Sequence, residues 1–409
     1  MIRDRTTPCF TTSTSAHKVL SRTYGGAFSP NLTQLELPVL HEDYNLTDGH
    51  VHFAWSPSEQ RVIANLPEMF THISRQQQLA LESDFIDVLY ELAGQSVNPD
   101  KTRFLLCTSA SQAVEIVANY LRLNKSSVSL IEPCFDNLAD IFKRHKIPLQ
   151  PFPDNILVHT DLVVFLDHLD TSAIVLVSPN NPTGCSLTPQ SFEALVEFCD
   201  KKRKLLVLDS SFRFYNPIPG WDQYELLNRS NIDYIVIEDT GKTWATHELK
   251  IGLLAVSSRL FGPLFKIHSD LILHVSPFVL KLLTEFIRLS IQDSLLYQRQ
   301  IVMKNRQTLY KALSSTLFEP TEAPFMSVSW LRILSGETSQ RIAKHLANWG
   351  VFVLPGNNFF WSKPQQGDRF IRVSLARETA TFDRAVSSLR EACRHLYDAN
   401  SDRNLRPVE

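Results

Sequence analysis

Short apolar runs rich in Val, Ile and Leu alternate along the chain with longer amphipathic stretches. The runs 104–107, 127–131, 173–177, 204–208, 234–237 and 252–256 read as strands. The stretches 111–123, 137–145, 189–202 and 277–291 read as helices. Strands that are apolar throughout, alternating with helices, predict an α/β fold with a largely parallel sheet covered on both faces. Ligands in such folds bind beyond the carboxyl ends of the strands. From about residue 294 a long helical stretch leads into a segment of mixed pattern, 318–397, read as a smaller α/β domain. The expected organisation is a leader (1–30), an N-terminal arm (31–75), a large domain (76–293), a small domain (294–398) and a tail (399–409).

Composition narrows the reading. With 41 Lys+Arg against 43 Asp+Glu, the formal net charge is −2, so nothing points to a nucleic-acid surface. No apolar run reaches the roughly 18 residues of a membrane span. The 6 cysteines are scattered, without zinc spacing, which fits a reducing cytoplasm and no metal site. The 13 glycines are about half the usual share, so a glycine-rich phosphate loop is not expected. Residues 1–30 lack the apolar stretch of a secretory signal and read as a floppy leader.

The expected strand ends carry polar residues in a suggestive order. They are Thr108-Ser109-Ala110-Ser111, Glu132-Pro-Cys-Phe135, Ser178-Pro-Asn-Asn181-Pro-Thr-Gly184, Asp209-Ser-Ser211-Phe212 and Glu238-Asp239-Thr-Gly-Lys242, with Lys250 further on. Singly, each has a plainer explanation: a turn, a helix cap, a core aromatic or a solvated lysine. Together they resemble the aspartate-aminotransferase superfamily, the fold-type-I enzymes dependent on pyridoxal phosphate (PLP).

That resemblance implies a role for each residue. Lys242 would form the Schiff base and move the substrate Cα proton. Asp209, with Ser211 beside it, would keep the pyridine nitrogen protonated. Asn181 would hydrogen-bond the ring's phenolic oxygen and Phe135 would stack on the ring. Ser109, Ala110 and Ser111 would hold the phosphate at a helix N-terminus, with Lys250 where the superfamily usually has an arginine. In the small domain, Arg372 would clamp the substrate α-carboxylate.

The departures narrow it further. Transaminases usually carry Tyr where this chain has Phe212, and Ser or Thr where it has Asp239. A carboxylate facing a phosphate dianion is unfavourable, so Asp239 is expected to meet a cationic substrate side chain. These residues, with Asn31-Leu-Thr33-Gln-Leu-Glu36 and Asp48-Gly-His50, resemble the PLP-dependent L-arginine oxidases and hydroxylases of antibiotic and alkaloid biosynthesis, the group of the enduracididine-pathway arginine hydroxylase. Thr33 and Glu36, three apart on a helical turn, would share a face.

The second resemblance implies that Glu36, Asp239 and Thr33 bind the guanidinium, that the N-terminal helix is a lid, and that His50 acts as a general acid/base. It implies dioxygen as co-substrate, with a 2-oxo acid (4-hydroxy-2-oxoarginine, 2-oxoarginine or a dehydroarginine), ammonia and hydrogen peroxide as products, and a homodimer. The rival readings are an ordinary aminotransferase, a cyclase or lyase of hydroxylated arginine, and a PLP-binding regulator.

Overall fold

The structure is a computed structural model that describes residues 30–73, 78–159, 161–216, 221–314, 316–323 and 325–404. The expected leader before Pro30 and the last residues of the expected tail lie outside the described residues. A short strand β1 (Tyr44–Asn45) precedes the main sheet. That sheet is built from β2 (Thr102–Cys107), β3 (Val128–Glu132), β4 (Leu149–Pro153), β5 (Ala173–Val177), β6 (Leu205–Asp209), β7 (Tyr234–Asp239) and β8 (Gly252–Ser257), in the order β2-β8-β7-β6-β5-β3-β4. Every predicted strand forms close to its expected ends. The predicted helices form as Ala110–Leu123, Asp136–Arg144, Pro189–Lys202 and Pro277–Asp293.

Two features depart from expectation. β8 runs antiparallel to both β7 and β2, because the connection from β7 carries no crossover helix, which a parallel return needs. β4 is absent from the expected strands, since Pro151 and Pro153 lie in it. Proline is tolerated there because β4 is the sheet edge, where one row of donors has no ladder partner. The registers Val177↔Asp209, Asp209↔Ile237, Asp239↔Gly252 and Cys107↔Gly252 bring the ends of β2, β5, β6 and β7 and the start of β8 to one edge.

The segment from about residue 294 opens with the helix Leu296–Leu313 and continues with β9 (Phe318–Pro320), β10 (Val328–Ile333), β11 (Val351–Phe352), β12 (Leu354–Pro355) and β13 (Phe370–Ser374) before the helix Thr379–Asn404. β12, β13, β10 and β9 form an antiparallel sheet, and β11 pairs with β1. Its core, including Val328, Leu331, Val373 and Phe382, also takes in Leu46, Val51 and Phe53 from the arm and Phe212 and Ala245 from the large domain. The arm therefore divides. Leu32 packs with Trp330, Leu354 and Phe359, residues 46–53 join the small-domain core, and Met69 belongs to the large core. Full burial of the Leu32 side chain is worth about 1.5–3 kcal/mol, which seats the helix Leu32–Glu36 against β12 and its neighbours.

Candidate active site

The loop after β7 is fixed by its own polar groups. Asp239 Oδ1 accepts from the Gly241 amide at 2.9 Å, and the Thr240 hydroxyl accepts from the Ile251 amide at 2.8 Å, closing the loop at its base. A Cβ on Gly241 would lie 2.7 Å from Lys250 Cδ, so the two arms of the loop touch. His247 and Glu248 both take left-handed conformations, at φ 47° and 69°, an uncommon choice for residues with side chains.

Lys242 Nζ lies 3.3 Å from His50 Nε2, and Lys250 Nζ lies 3.4 Å from the same nitrogen. The other imidazole nitrogen, Nδ1, faces Asp48 Oδ1 at 3.5 Å and Glu248 Oε1 at 3.4 Å. Burial lowers the His50 pKa, and the charges of Lys242 and Lys250 push the same way against Asp48 and Glu248. The imidazole is thus neutral near pH 7. The network assigns its proton to Nδ1, beside the carboxylates, and leaves Nε2 as an acceptor toward the lysines.

Asp48 is the anchor of this arrangement. Its Oδ1 accepts from the His50 amide at 3.0 Å and lies 2.9 Å from His52 Nε2. Its Oδ2 accepts from Asn45 Nδ2 and Arg377 Nη2 at 2.9 and 2.8 Å. Burial alone would raise the Asp48 pKa, but the Arg377 guanidinium and hydrogen bonds from His50 and His52 hold it well below the usual carboxylate range. Arg377 also donates to the carbonyls of Asn45, Asp48 and His50, stapling the arm to the end of the small domain.

Arg372, in the middle of β13, is almost wholly buried. Its Nη1 donates to Asn181 Oδ1 at 3.1 Å, and its Nη2 donates to Glu36 Oε1 at 3.0 Å and to the Thr47 carbonyl. The guanidinium carbon lies 5.8 Å from the Phe135 ring centroid and 5.4 Å from that of Phe359, and the buried Nε has no partner. Burial raises the Glu36 pKa, opposed first by Arg372 and then by Lys242.

On the sheet side, Asp209 Oδ1 accepts from the Ser211 amide and hydroxyl at 2.9 and 2.5 Å. Burial raises its pKa, against those hydrogen bonds. Ser109 caps the helix Ala110–Leu123 by accepting from the Gln112 amide. A Cβ on Gly252 would lie 2.4 Å from Ser109 C and 2.7 Å from Ala110 N. Glycine there lets β8 press against the helix start.

The structure therefore brings Lys242 to His50, Asn181 and Glu36 to Arg372, Phe135 beside Arg372, and Ser211 onto Asp209. Other expected residues have protein or solvent surroundings of their own. Lys250, expected at the phosphate, has its ammonium 2.5 Å from Glu248 Oε2 and beside His50. Asp239 spends Oδ1 on its own loop. Thr33 is exposed while Glu36 is buried; the inward face of this one-turn helix is set by Leu32 and Glu36, four apart. Ser111 is exposed and accepts from Asn137 Nδ2 at 2.9 Å.

Sequence reasoning assigned no role to Asp48, Glu248, Arg377 or Gly252. Gly252 had a signal: a scarce residue opening a buried strand marks close backbone approach. The pairing of Asp48 with Arg377 had none, because the two are distant in sequence.

The family model Aminotransferase class I and II matches residues 44–389. The fold is similar to a structure of MppP soaked with the product 2-ketoarginine, at 31% identity and a TM-score of 0.77, covering 85% of this chain and 99% of that one. It is also similar to LysN, an α-aminoadipate aminotransferase from Thermus thermophilus, at 16% identity and a TM-score of 0.73, covering 93% and 99%. Among curated proteins it is 24% identical to a tyrosine aminotransferase of Caenorhabditis elegans over 72% of this chain. The chain spans 65% of that relative's length and 54% of the length of a matching LL-diaminopimelate aminotransferase from Maridesulfovibrio salexigens.

Proposed function

The chain belongs to the aminotransferase class I and II family, with the fold-type-I α/β architecture, and within it we propose a PLP-dependent, dioxygen-consuming oxidase or hydroxylase of L-arginine. Family membership supports the cofactor, and the residues present fit it. Asp209 is a buried carboxylate at a strand end, Lys242 stands on a braced loop, and the helix Ala110–Leu123 begins at the same sheet edge, with β8 packed closely against its first residues at Gly252. When bound, the cofactor supplies an electron sink conjugated to the substrate amine, which makes the Cα proton removable.

The chain's own residues divide the remaining work. The amides of Ser109, Ala110 and Ser111 would receive the phosphate, with Lys250 adding charge nearby. Asp209, steadied by Ser211, would face the ring nitrogen; Asn181 would donate to the phenolic oxygen; Phe135 would cover the ring. Lys242 would take the Cα proton. His50, neutral and with Nε2 directed at Lys242, would accept that lysine's excess proton or position water. Arg372 would hold the α-carboxylate, while Glu36 and Asp239, with Thr33 at the rim, would receive the guanidinium.

Oxidation of arginine to 2-oxoarginine reduces one dioxygen to hydrogen peroxide and, after addition of one water, releases ammonia. A second dioxygen and a second water would give 4-hydroxy-2-oxoarginine. The likeness to MppP supports this outcome, and a homodimer and a cytoplasmic setting complete the proposal.

The observation that supports a cationic substrate is Glu36, a buried carboxylate 3.0 Å from Arg372 Nη2, the guanidinium proposed to hold the substrate's α-carboxylate. The alternative, an ordinary aminotransferase, draws on the curated relatives bearing that name. An oxygen electrode separates them. Arginine-dependent oxygen uptake without any 2-oxo acid supports the proposal; turnover that requires a 2-oxo acid and consumes no oxygen rejects it.

A further inference from the structure

Two acidic–basic pairs fasten the arm over the site; both arginines have further acceptors, Asn181 and the Thr47 carbonyl in the case of Arg372, and the pairs differ in how their carboxylates are held. Arg377 and Asp48 are surrounded by further fixed hydrogen-bond partners. Arg372 and Glu36 form the other pair, at 3.0 Å, and Arg372 keeps a buried Nε without a partner. Glu36 thus presents a carboxylate to the guanidinium assigned above to the substrate's own carboxylate. Its helix is separately tied down, by the Leu32 amide on Asp136 Oδ2 at 2.7 Å and by Asn358 Nδ2 on the Pro30 carbonyl at 2.7 Å. Glu36 can therefore lose Arg372 while its helix stays seated.

We infer that Glu36 acts as an internal stand-in for the substrate carboxylate, so that only a ligand carrying both a carboxylate and a side-chain cation completes the exchange. The incoming carboxylate displaces Glu36 from Arg372. Glu36 then either stays a buried anion without its cation or takes up a proton, and both states cost free energy. An arginine side chain supplies the missing charge. A neutral side chain does not, and an amino acid of the same length is rejected although Arg372 can bind its carboxylate. Selectivity then comes from exchange at the carboxylate clamp as well as from attraction at the guanidinium. This inference rests on the reading of Arg372 and Glu36 given under the proposed function.

The test uses anaerobic holoenzyme, with binding read by calorimetry and cofactor absorbance. The ligands are arginine, citrulline (same length, neutral) and hexanoate (carboxylate alone). In the unaltered protein, citrulline and hexanoate bind about 100-fold or more weakly than arginine, as expected where a mismatched ligand leaves a buried group unpaired. In Glu36→Gln, arginine weakens about tenfold or more, while citrulline and hexanoate tighten about tenfold because Arg372 has been released. Asp239→Asn removes an equal charge near the same site and leaves hexanoate binding within about twofold.

If citrulline and hexanoate fail to tighten in Glu36→Gln, or tighten equally in Asp239→Asn, the exchange is overturned. A loss of arginine affinity in that case still leaves Glu36 as a guanidinium ligand. Arginine binding no better than citrulline in the unaltered protein overturns the substrate reading itself. Hexanoate binding as tightly as arginine in the unaltered protein overturns the exchange without recourse to any variant.

Discussion

The two walls of the site are held by different physics. The sheet wall, with Asp209, Asn181, Ser109 and the Lys242 loop, is set by strand ends, helix caps and close backbone contact. The opposite wall, with Glu36, Asp48 and His50 of the arm facing Arg372 and Arg377, is set by buried charge pairs. Backbone placement is indifferent to protonation and to the presence of ligand. Paired charges can exchange partners, so that wall is the one able to respond to an incoming charge.

The comparison can be broken from either side. The largest effect is expected at the junction of the walls: Lys242→Ala abolishes turnover and the absorbance band of lysine-bound cofactor, read in one spectrum and one assay. Next comes the charged wall. Arg377→Met leaves Asp48 buried without its cation and costs about 3–5 kcal/mol in chemical denaturation. The sheet wall answers to volume instead. Gly252→Ala drives a Cβ into Ser109 and Ala110; overpacking of this kind costs about 1–3 kcal/mol and weakens cofactor retention, followed by thermal melting and cofactor titration.

A pH series sharpens the contrast. His50 has a folded pKa below its ordinary 6.5, so the folded state binds fewer protons than the unfolded one. Its contribution is therefore fully present above about 6.5 and is lost as pH falls through the lower folded value. His50→Gln flattens the fall in stability over that window, and an unchanged slope counts against the neutral imidazole. The same variant shifts the ratio of hydroxylated to unhydroxylated product, measured by mass. The smallest effect is at Thr33, exposed beside a buried Glu36. Thr33→Ala changes arginine affinity by about twofold or less, in keeping with surface substitutions elsewhere.

The sequence was most legible where local rules apply. Val, Ile and Leu runs gave the strands of the main sheet, and the polar residues after them share one edge because the strand ends converge there. The legible wall is accordingly the sheet wall. β4 escaped because its prolines are acceptable only at an edge, and edge position is a property of the whole sheet. The direction of β8 escaped because an apolar strand carries no sign of its polarity. The second wall was legible only in part. Glu36 and His50 stood out through resemblance, but which cation each carboxylate meets depends on segments brought together by the fold. Lys250 shows this well: its type suited a phosphate, but its contacts with Glu248 and His50 were not legible from the sequence.

The staple between Asp48 and Arg377 joins residues 329 positions apart, and Arg372 meets Glu36 across 336. During synthesis the lysine loop, the helix caps and most of the main sheet leave the ribosome long before either arginine does. The sheet wall can assemble early, but the charged wall has no partner until Arg372 and Arg377 have been made. Order of synthesis thus separates the two walls: a chain interrupted before Arg372 would hold the sheet wall in place but leave Glu36 and Asp48 without their cations.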